Sequence, residues 1–304
     1  MSAVLRAAMP PPGPHGGDGA RLAAALGVAP GEVLDLSASL NPAAPDPGPV
    51  VARHLDALGR YPDPAAATTA LAGAIGVDPR QVLLTNGGAE AIALVAAELG
   101  GHVVEPEFAL HPRGAGEPRW RSNPHSPTGR LAAGDEVAGV WDEAFYALAT
   151  GRWTRGDAEH GAVVVGSLTK LFACPGLRLG YVLGPEGDLV DRLRHRQPHW
   201  SVNGLAAAAL PDLLEGADLA GWAAAVARLR ADLTGLLADH GLDPLPSDAN
   251  WVLCARAGGL RARLAPHAVL VRDCATFGLT GHARVAVPDH AGLDRLAAAL
   301  EATA

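Results

Sequence analysis

One lysine, Lys170, stands among 24 cationic residues, and all the others are arginine. It closes the segment GSLTK, which follows the short apolar run Ala162–Val165. Arginine keeps its proton near neutral pH and cannot form an imine, whereas lysine can once its pKa is lowered. A chain that uses arginine wherever charge alone is needed therefore indicates a chemical role for Lys170. The alternative is a solvated lysine in a polar loop.

The residues near Lys170 could hold a phosphorylated aldehyde. Ser167 and Thr169 supply hydroxyl groups, and Arg178 follows within the segment GLRLGY. The lysine would take the carbonyl group as an imine, and the hydroxyl and guanidinium groups would hold the phosphate. A polar segment just after a buried strand lies at the rim of an α/β sheet, where ligand sites of such folds are found.

A glycine-containing turn, TNGGAE at residues 85–90, joins a predicted strand to a predicted helix. Glycine lets the backbone approach an anion, and the N–H groups of the first helical turn point towards it. The turn contains Gly88 and Ala89 and is a weak signal alone, because many strand-to-helix turns contain glycine. Neither G-x-x-x-x-G-K-[ST] nor G-x-G-x-x-G occurs, so the sequence indicates neither an ATP-binding P-loop nor a dinucleotide-binding fold.

Asp142 ends another apolar run, in the segment WDEAF. A carboxylate at the end of a central strand is costly to bury without a cationic partner, and a protonated pyridine nitrogen is such a partner. The alternative is an aspartate that caps the following helix. The turn-rich loop NPHSPTG at residues 123–129 indicates by itself only a turn.

The composition is typical of a globular protein, with 49% apolar and 18% charged residues among 304. The net charge of −8, without a long basic run, argues against a nucleic-acid partner. No apolar stretch has the length of a membrane span, and Met1–Gly17 lacks the apolar core of a signal peptide. The three cysteines are far apart, so we expect no disulfide framework, no metal site and a cytoplasmic location.

Helical and strand patterns alternate from Pro64 to about Gly241, which predicts an α/β domain on a mostly parallel sheet. The first forty-odd residues are rich in Pro and Gly and are predicted to be an extended arm with turns and one short helix. The chain after Gly241 predicts a smaller α+β unit. Predicted helices are 20–26, 65–75, 89–99, 189–196, two within 204–240, 260–264 and 293–301. Predicted strands are 82–85, 102–105, 137–141, 162–166, 178–183, 251–255, 269–272 and 284–287.

Taken together, GSLTK, GLRLGY, the Asp142 segment and the two turns resemble the aspartate-aminotransferase superfamily of pyridoxal-phosphate enzymes, known as fold type I. Segments nearer the ends resemble the threonine-phosphate decarboxylases of cobalamin biosynthesis: HGGD at 15–18, LDLSASLNP at 34–42, YPDP at 61–64, VRDCATF at 271–277 and ARVAV at 283–287. Histidinol-phosphate aminotransferases share the middle segments. The resemblance covers nearly the whole chain.

This resemblance implies an α/β fold of type I. A large domain with a mostly parallel central sheet would occupy residues 46–204, and a smaller α+β domain residues 205–304. Residues 1–45 would form an N-terminal arm that packs with the small domain. The resemblance also implies pyridoxal 5′-phosphate as the cofactor and a homodimer as the assembly.

The resemblance assigns roles residue by residue. Lys170 would bind the cofactor aldehyde, and Asp142 would pair with its pyridinium nitrogen. The other cofactor-binding residues would be Gly88, Ala89, His111, Ser126, Ser167, Thr169 and Arg178, with Tyr61 reaching the cofactor phosphate of the neighbouring subunit. The substrate-binding residues would be Arg284 at a carboxylate, Arg272 at a phosphate, and Asn41.

The sequence departs from the family pattern in four places. Ser126 replaces an asparagine that bonds the phenolic oxygen of the cofactor. His111 takes the position of the aromatic residue that stacks on the cofactor ring, and Phe145 replaces a tyrosine of the aminotransferases. The stretch from His111 to Asp142 is too short for the strand and helices of relatives, so we expect a trimmed large domain with thinner cover over the cofactor.

The resemblance implies a pyridoxal-phosphate enzyme that acts on a phosphorylated amino acid or amine, most closely like the threonine-phosphate decarboxylases. A histidinol-phosphate aminotransferase or another aminotransferase is the first alternative. An alternative of another class is a binding or regulatory protein that keeps the fold and has lost turnover. The joint presence of Lys170, Asp142, Arg178 and Arg284 speaks against that last alternative.

Overall fold

A computed structural model describes residues 9–303 of the chain. The strands in these residues are β1 Leu34–Leu36, β2 Val82–Asn86, β3 His102–Val103, β4 Arg119–Ser122, β5 Val140–Asp142, β6 Val163–Ser167, β7 Leu179–Leu183, β8 Asp243–Pro244, β9 Trp251–Ala255, β10 Val269–Asp273 and β11 Ala283–Ala286. The α-helices are α1 Gly19–Leu26, α2 Gly48–Ala52, α3 Ala65–Ile75, α4 Gly87–Leu99, α5 Tyr146–Thr150, α6 Leu168–Leu171, α7 Leu189–Arg196, α8 Gly204–Glu215, α9 Leu219–Asp239, α10 Leu260–Leu264 and α11 His290–Glu301. None of the described helices has both the length and the apolar character needed to cross a membrane.

The chain divides into two compact units. The larger unit comprises 43–126 and 130–225, and the smaller comprises the described part of 1–42 together with 127–129 and 226–304. The sequence-based boundary at 204–205 differs from this division, which falls within α9. The reason is that α8 contributes buried residues, among them Ala206 and Leu210, to the same core as Leu71 of α3.

The larger unit is built on a six-stranded sheet with the order β2-β7-β6-β5-β4-β3. Strand β7 runs antiparallel to both neighbours, and the other pairings are parallel. Every residue of β6 and β7 is buried, as expected for strands whose two faces are both covered. Helices α4 and α7 belong to one apolar core and α3 and α8 to another. The predicted mostly parallel α/β sheet is therefore confirmed.

The connection between β3 and β4, residues 104–118, contains no α-helix. Parallel neighbours require a crossover of a dozen or more residues, which is usually helical. Here one side chain binds much of the crossover: the Arg113 guanidinium donates hydrogen bonds to the carbonyl oxygens of Glu107, Phe108, Ala109 and His111. The expected shortening of the large domain therefore corresponds here to a connection without a helix. Strand β4, which the sequence analysis did not predict, is present.

The connection between β4 and β5, residues 123–139, also lacks a helix. The Arg155 guanidinium donates to the carbonyl oxygens of Gly134 and Glu136 at 2.8 and 3.0 Å. Arg119 donates to the carbonyl oxygen of Val137 at 3.1 Å. Arginine side chains thus satisfy backbone acceptors that a helix would satisfy internally. The predicted strand 137–141 begins later, at Val140, and the Val137 side chain is exposed.

The smaller unit contains a five-stranded sheet with the order β1-β10-β11-β9-β8. Only β1 and β10 pair in parallel, and the other pairings are antiparallel. A core that includes Leu233 of α9, Leu264 of α10 and Leu296 of α11 packs with residues of this sheet. These elements form the predicted α+β unit, to which β1 of the N-terminal arm adds an edge strand.

Candidate active site

Lys170 lies where the buried strand β6 passes into the short helix α6. Its ammonium group donates to the hydroxyl oxygen of Ser167 at 3.3 Å and lies 4.8 Å from the ring centre of Phe145. The hydroxyl oxygens of Ser167 and Thr169 are 2.8 Å apart, and both residues are buried. Lys170 itself is only half-buried, so the structure brings the three predicted residues together beside an accessible amine.

The first turn of helix α4 meets strand β7 without intervening side chains. A Cβ atom on Gly180 would lie 2.4 Å from the carbonyl carbon of Gly87, so glycine is required there for the close approach. Gly87 has a φ of +76°, and a Cβ atom on it would lie 2.3 Å from Nη2 of Arg178. Glycine at these two positions therefore leaves the Arg178 guanidinium beside the N-terminus of α4.

Ser167 reaches the same helix terminus. A Cβ atom on Gly88 would stand 3.3 Å from Cβ of Ser167, which places the hydroxyl group next to the first turn. Ala89, the next residue of that turn, is exposed. Free N–H groups and the helix dipole favour an anion at such a terminus. Together with Ser167 and Arg178, they form a donor set suited to a phosphate group.

Asp142 ends strand β5 and is buried. Its Oδ2 lies 3.0 Å from Nε2 of His111, and its Oδ1 accepts the backbone N–H of Ala144 at 3.0 Å. Burial alone would raise the pKa of Asp142, but the hydrogen bonds from His111 and Ala144 and the charge of Lys170 lower it below its ordinary value. The site therefore holds a buried aspartate in its ionised form.

The His111 side chain has no exposed surface. Its ring centre lies 5.6 Å from that of Phe108 and 5.4 Å from that of Trp120. The Nε2 edge of the His111 ring thus contacts Asp142, and the rings of Phe108 and Trp120 pack beside it. The sequence analysis did not foresee this contact between residues distant in the chain.

Glu143, next to Asp142, is a second buried carboxyl group that the sequence analysis missed. The backbone N–H of Arg155 lies 3.2 Å from its Oε1. Burial, opposed by hydrogen bonds from Thr154 and Arg155, raises the pKa of Glu143 to about 7. Below about pH 7, Glu143 therefore binds a proton while Asp142 is ionised, since His111 and Lys170 lower the pKa of Asp142 against the effect of burial.

Ser126 and Tyr61 occupy contrasting positions. Ser126 is buried in the loop that follows β4. The Tyr61 ring is 77% exposed and lies 4.7 Å from the ring of Trp200, which is 62% exposed. Leu55 and Leu58 are also exposed, and we call these four residues the apolar patch. Trp200 had given no signal in the sequence analysis.

Arg272 and Arg284 lie opposite each other on β10 and β11 of the smaller unit, and both are buried. The Arg284 guanidinium lies 4.8 Å from the ring centre of Trp251, and that of Arg272 lies 4.4 Å from the ring centre of Phe277. Burial lowers the pKa of Arg272, and burial together with the charge of Arg272 lowers the pKa of Arg284 to about 9. Two guanidinium groups thus lie in neighbouring buried positions of this sheet.

Asn41 is buried in the same unit. The fully buried Asn250 donates from Nδ2 to the carbonyl oxygens of Ser39 and Leu40, at 3.0 and 3.1 Å. It thereby fixes the segment that leads to Asn41. The sequence analysis had missed Asn250, although an amide just before strand β9 was a possible signal.

The larger unit supplies groups that fit each part of pyridoxal 5′-phosphate. The amine of Lys170 suits the aldehyde, and the ionised carboxylate of Asp142 suits a protonated ring nitrogen. The N–H groups at the terminus of α4 and the Arg178 guanidinium suit the phosphate. Glycine at position 87 leaves room for that guanidinium, because a Cβ atom there would lie 2.3 Å from its Nη2. The donor set agrees with the cofactor expected from the sequence.

Comparisons with known proteins show what this chain is similar to. The model of the family described as Aminotransferase class I and II matches residues 120–300. Threonine-phosphate decarboxylase of Salmonella typhimurium is 31% identical, in an alignment of 355 positions that covers 94% of this chain and 95% of the relative. Histidinol-phosphate aminotransferase 1 of Nitrosococcus oceani is 27% identical over 84% of each chain.

A solved structure shares the fold. Histidinol-phosphate aminotransferase from Sinorhizobium meliloti in complex with pyridoxal-5′-phosphate superposes with a TM-score of 0.79 at 18% identity, covering 93% of this chain and 94% of that one. The alignment with the decarboxylase is longer than this chain, as internal deletions require. The chain belongs to the aminotransferase class I and II family.

Proposed function

We propose that this protein is a pyridoxal-phosphate enzyme that decarboxylates a phosphorylated amino acid, as threonine-phosphate decarboxylases do. The observation that carries the proposal is the position of the single lysine. Lys170 lies beside the hydroxyl pair Ser167 and Thr169, and Ser167 and Arg178 reach the N-terminus of α4. The relative of 31% identity, matched over 95% of its length, supports the choice of reaction.

The residues of the larger unit would divide the work of holding the cofactor. Bound pyridoxal phosphate supplies an aldehyde that combines with amines and a ring that withdraws electrons from the bond being broken. Lys170 would hold the cofactor at its aldehyde, and its amine would be placed to donate a proton to the substrate carbon after decarboxylation, or to remove one in aminotransfer. The backbone N–H groups of Gly88 and Ala89, with Ser167, Thr169 and Arg178, bind the phosphate.

Asp142 would hold the proton on the ring nitrogen, which keeps the ring electron-withdrawing. His111 acts through Asp142 in this proposal, since its Nε2 contacts Oδ2 and its side chain is fully enclosed. This role differs from the ring stacking expected from the sequence. Ser126 stays a candidate for the phenolic oxygen of the cofactor.

The smaller unit would supply the substrate contacts. Arg284 would bind the carboxylate and Arg272 the phosphate, and Asn41 would contact the same substrate. Neighbouring buried guanidinium groups support this assignment, because a bound dianion offsets the repulsion between them. An amino acid without a phosphate would leave part of that charge unbalanced.

Aminotransfer is the second candidate. The same Lys170 and Asp142 serve either reaction, and the histidinol-phosphate aminotransferase relative is matched over 84% of its length. The two reactions differ in their products. Phosphothreonine that releases CO₂ supports decarboxylation, whereas a phosphorylated keto product that appears only with an amino-group acceptor supports aminotransfer.

We propose a homodimer formed through the apolar patch. Four large apolar side chains, Leu55, Leu58, Tyr61 and Trp200, are more than half exposed in the single chain. A second copy of the chain would cover them, and Tyr61 would reach the cofactor phosphate of the neighbouring subunit. We also propose a cytoplasmic location, supported by three buried cysteines in thiol form.

The cofactor assignment is tested by reducing the cofactor-loaded protein with borohydride and locating the modified residue by mass spectrometry. We expect pyridoxyl at Lys170, because the chain contains no second lysine. Lys170→Arg keeps the charge and should lose both the visible absorbance and turnover. A variant that retains full activity contradicts the proposal. A wild-type protein that binds the cofactor but never turns over supports the binding-protein alternative instead.

A further inference from the structure

A second carboxylate lies at the other ring nitrogen of His111. Glu107 is 2% exposed, and its Oε2 is 3.8 Å from Nδ1 of His111. Nε2 of the same ring lies 3.0 Å from Oδ2 of Asp142. His111 is therefore an imidazole between two buried carboxyl groups, only one of which belongs to the site described above.

Glu107 is held in place by three donors. The backbone N–H of Ser122 donates to Oε1 at 2.6 Å, and the backbone N–H of Phe108 donates to Oε2 at 2.9 Å. The Ser122 hydroxyl group also donates to Oε2 through a short hydrogen bond. Three donors suit an ionised carboxylate, which only accepts. Because Ser122 of β4 pairs with Asp142 of β5, the sheet register fixes both carboxylates relative to each other.

Nδ1 of His111 is buried and forms no hydrogen bond with a described residue. If the ring were neutral and donated from Nε2 to Asp142, the lone pair of Nδ1 would lie near the negative charge of Glu107. A proton on Nδ1 changes that repulsion into attraction, and low-dielectric surroundings strengthen the effect. We propose that Glu107 is a positioning residue that keeps Nδ1 of His111 protonated, so that the ring contacts Asp142 as a cation.

The three side chains then alternate in charge. The cationic ring keeps Asp142 ionised in spite of its burial, and Glu107 stabilises the cation. This consequence rests on the proposed function, in which Asp142 meets the ring nitrogen of the cofactor. The protonation of His111 does not depend on it, so the two statements can be tested separately.

The test is nitrogen NMR of histidine-labelled full-length protein at neutral pH, without and with pyridoxal phosphate. The resonances of His111 are assigned by their loss in His111→Gln. We expect both ring nitrogens of His111 to be protonated in the wild-type protein. Glu107→Gln keeps an oxygen that accepts from Ser122 but removes the charge, so Nδ1 should lose its proton. Glu107→Asp keeps the charge and should retain it.

Glu117→Gln is the matched control, because Glu117 lies in the same connection, is exposed, and accepts the backbone N–H of Arg119 rather than one from Glu107. Its His111 signals should equal those of the wild type. Turnover gives a second readout: we expect Glu107→Gln to lower kcat about tenfold or more with KM nearly unchanged, as for groups that orient a cofactor-binding side chain. An unprotonated Nδ1 in the wild type, or an unaltered Nδ1 in Glu107→Gln, overturns the proposal. Absence of turnover with the expected NMR signals contradicts only the proposed function.

Discussion

Replacing Glu143 by glutamine should change how the stability of the protein depends on pH. Burial raises the pKa of this carboxyl group from 4.5 to about 7 in the folded chain. Between those values the folded state binds a proton that the unfolded state has released. Stability therefore falls as pH rises through this window and is constant above it. Glu143→Gln has no proton to lose and should lack this fall.

The size of the effect follows from the shift. Each pKa unit corresponds to about 1.4 kcal/mol, so the shift of Glu143 from 4.5 to about 7 gives about 3 kcal/mol as an upper estimate. Glutamine keeps an oxygen for the N–H of Arg155, which lies 3.2 Å from Oε1. We expect the unfolding free energy of the variant, minus that of the wild type, to rise by about 2–3 kcal/mol between about pH 4.5 and pH 8.

Urea unfolding of the cofactor-free proteins at several pH values measures this difference. At each pH, the unfolding free energy of the wild type is subtracted from that of the variant. This difference removes the contributions that the two proteins share, including that of Asp142, whose lowered pKa makes stability rise with pH. Glu159→Gln, at an exposed position, is the control and should differ from the wild type by less than about 0.5 kcal/mol at every pH. A difference between Glu143→Gln and the wild type that does not change with pH refutes the reasoning.

Three further outcomes are expected. Gly87→Ala should weaken pyridoxal-phosphate binding at least about tenfold in a fluorescence titration, because the left-handed backbone costs about 1–2 kcal/mol and the new Cβ displaces Arg178; unchanged affinity argues against the phosphate site. Leu58→Asp should convert a dimer to monomers in light scattering, whereas the same change at exposed Val137 should not. Arg272→Ala should abolish the preference for phosphothreonine over threonine in competition assays, and a retained preference assigns the phosphate elsewhere.

The elements predicted best are those with long apolar patterns bounded by glycine or proline. Helix α3 was predicted with its observed bounds, because an alanine-rich run begins after Pro64 and ends before Gly76. Strand β4, with the sequence RWRS, was missed. Its two arginines mask an alternation in which only Trp120 and Ser122 are buried. A three-residue strand such as β1 has too few positions for any pattern to emerge.

In the candidate site too, residues that are close together in the sequence were predicted, and contacts between distant residues were not. Lys170, Ser167 and Thr169 were found because they are close together in the sequence and follow a buried strand. The contact of Asp142 with His111 could not be found in this way, because 31 positions separate the two residues. Only the parallel pairing of β4 with β5 and the path of the preceding connection bring these side chains together. Local spacing therefore predicted the amine and its hydroxyl neighbours but not the electrostatic partners of the carboxylate.

The two connections without helices should affect how fast their amide hydrogens exchange with solvent. Residues 104–118 and 123–139 are bound largely by arginine side chains that donate to backbone carbonyl groups, while their own amide hydrogens have few partners in a regular ladder. Amides in such segments exchange with solvent through small, local openings. We therefore expect residues 104–118, the connection that contains His111, to exchange as a unit of lower stability than β6 and β7. Because His111 belongs to this unit and contacts Asp142, a ligand bound at Asp142 should slow exchange throughout the unit, including at amides that the ligand never touches.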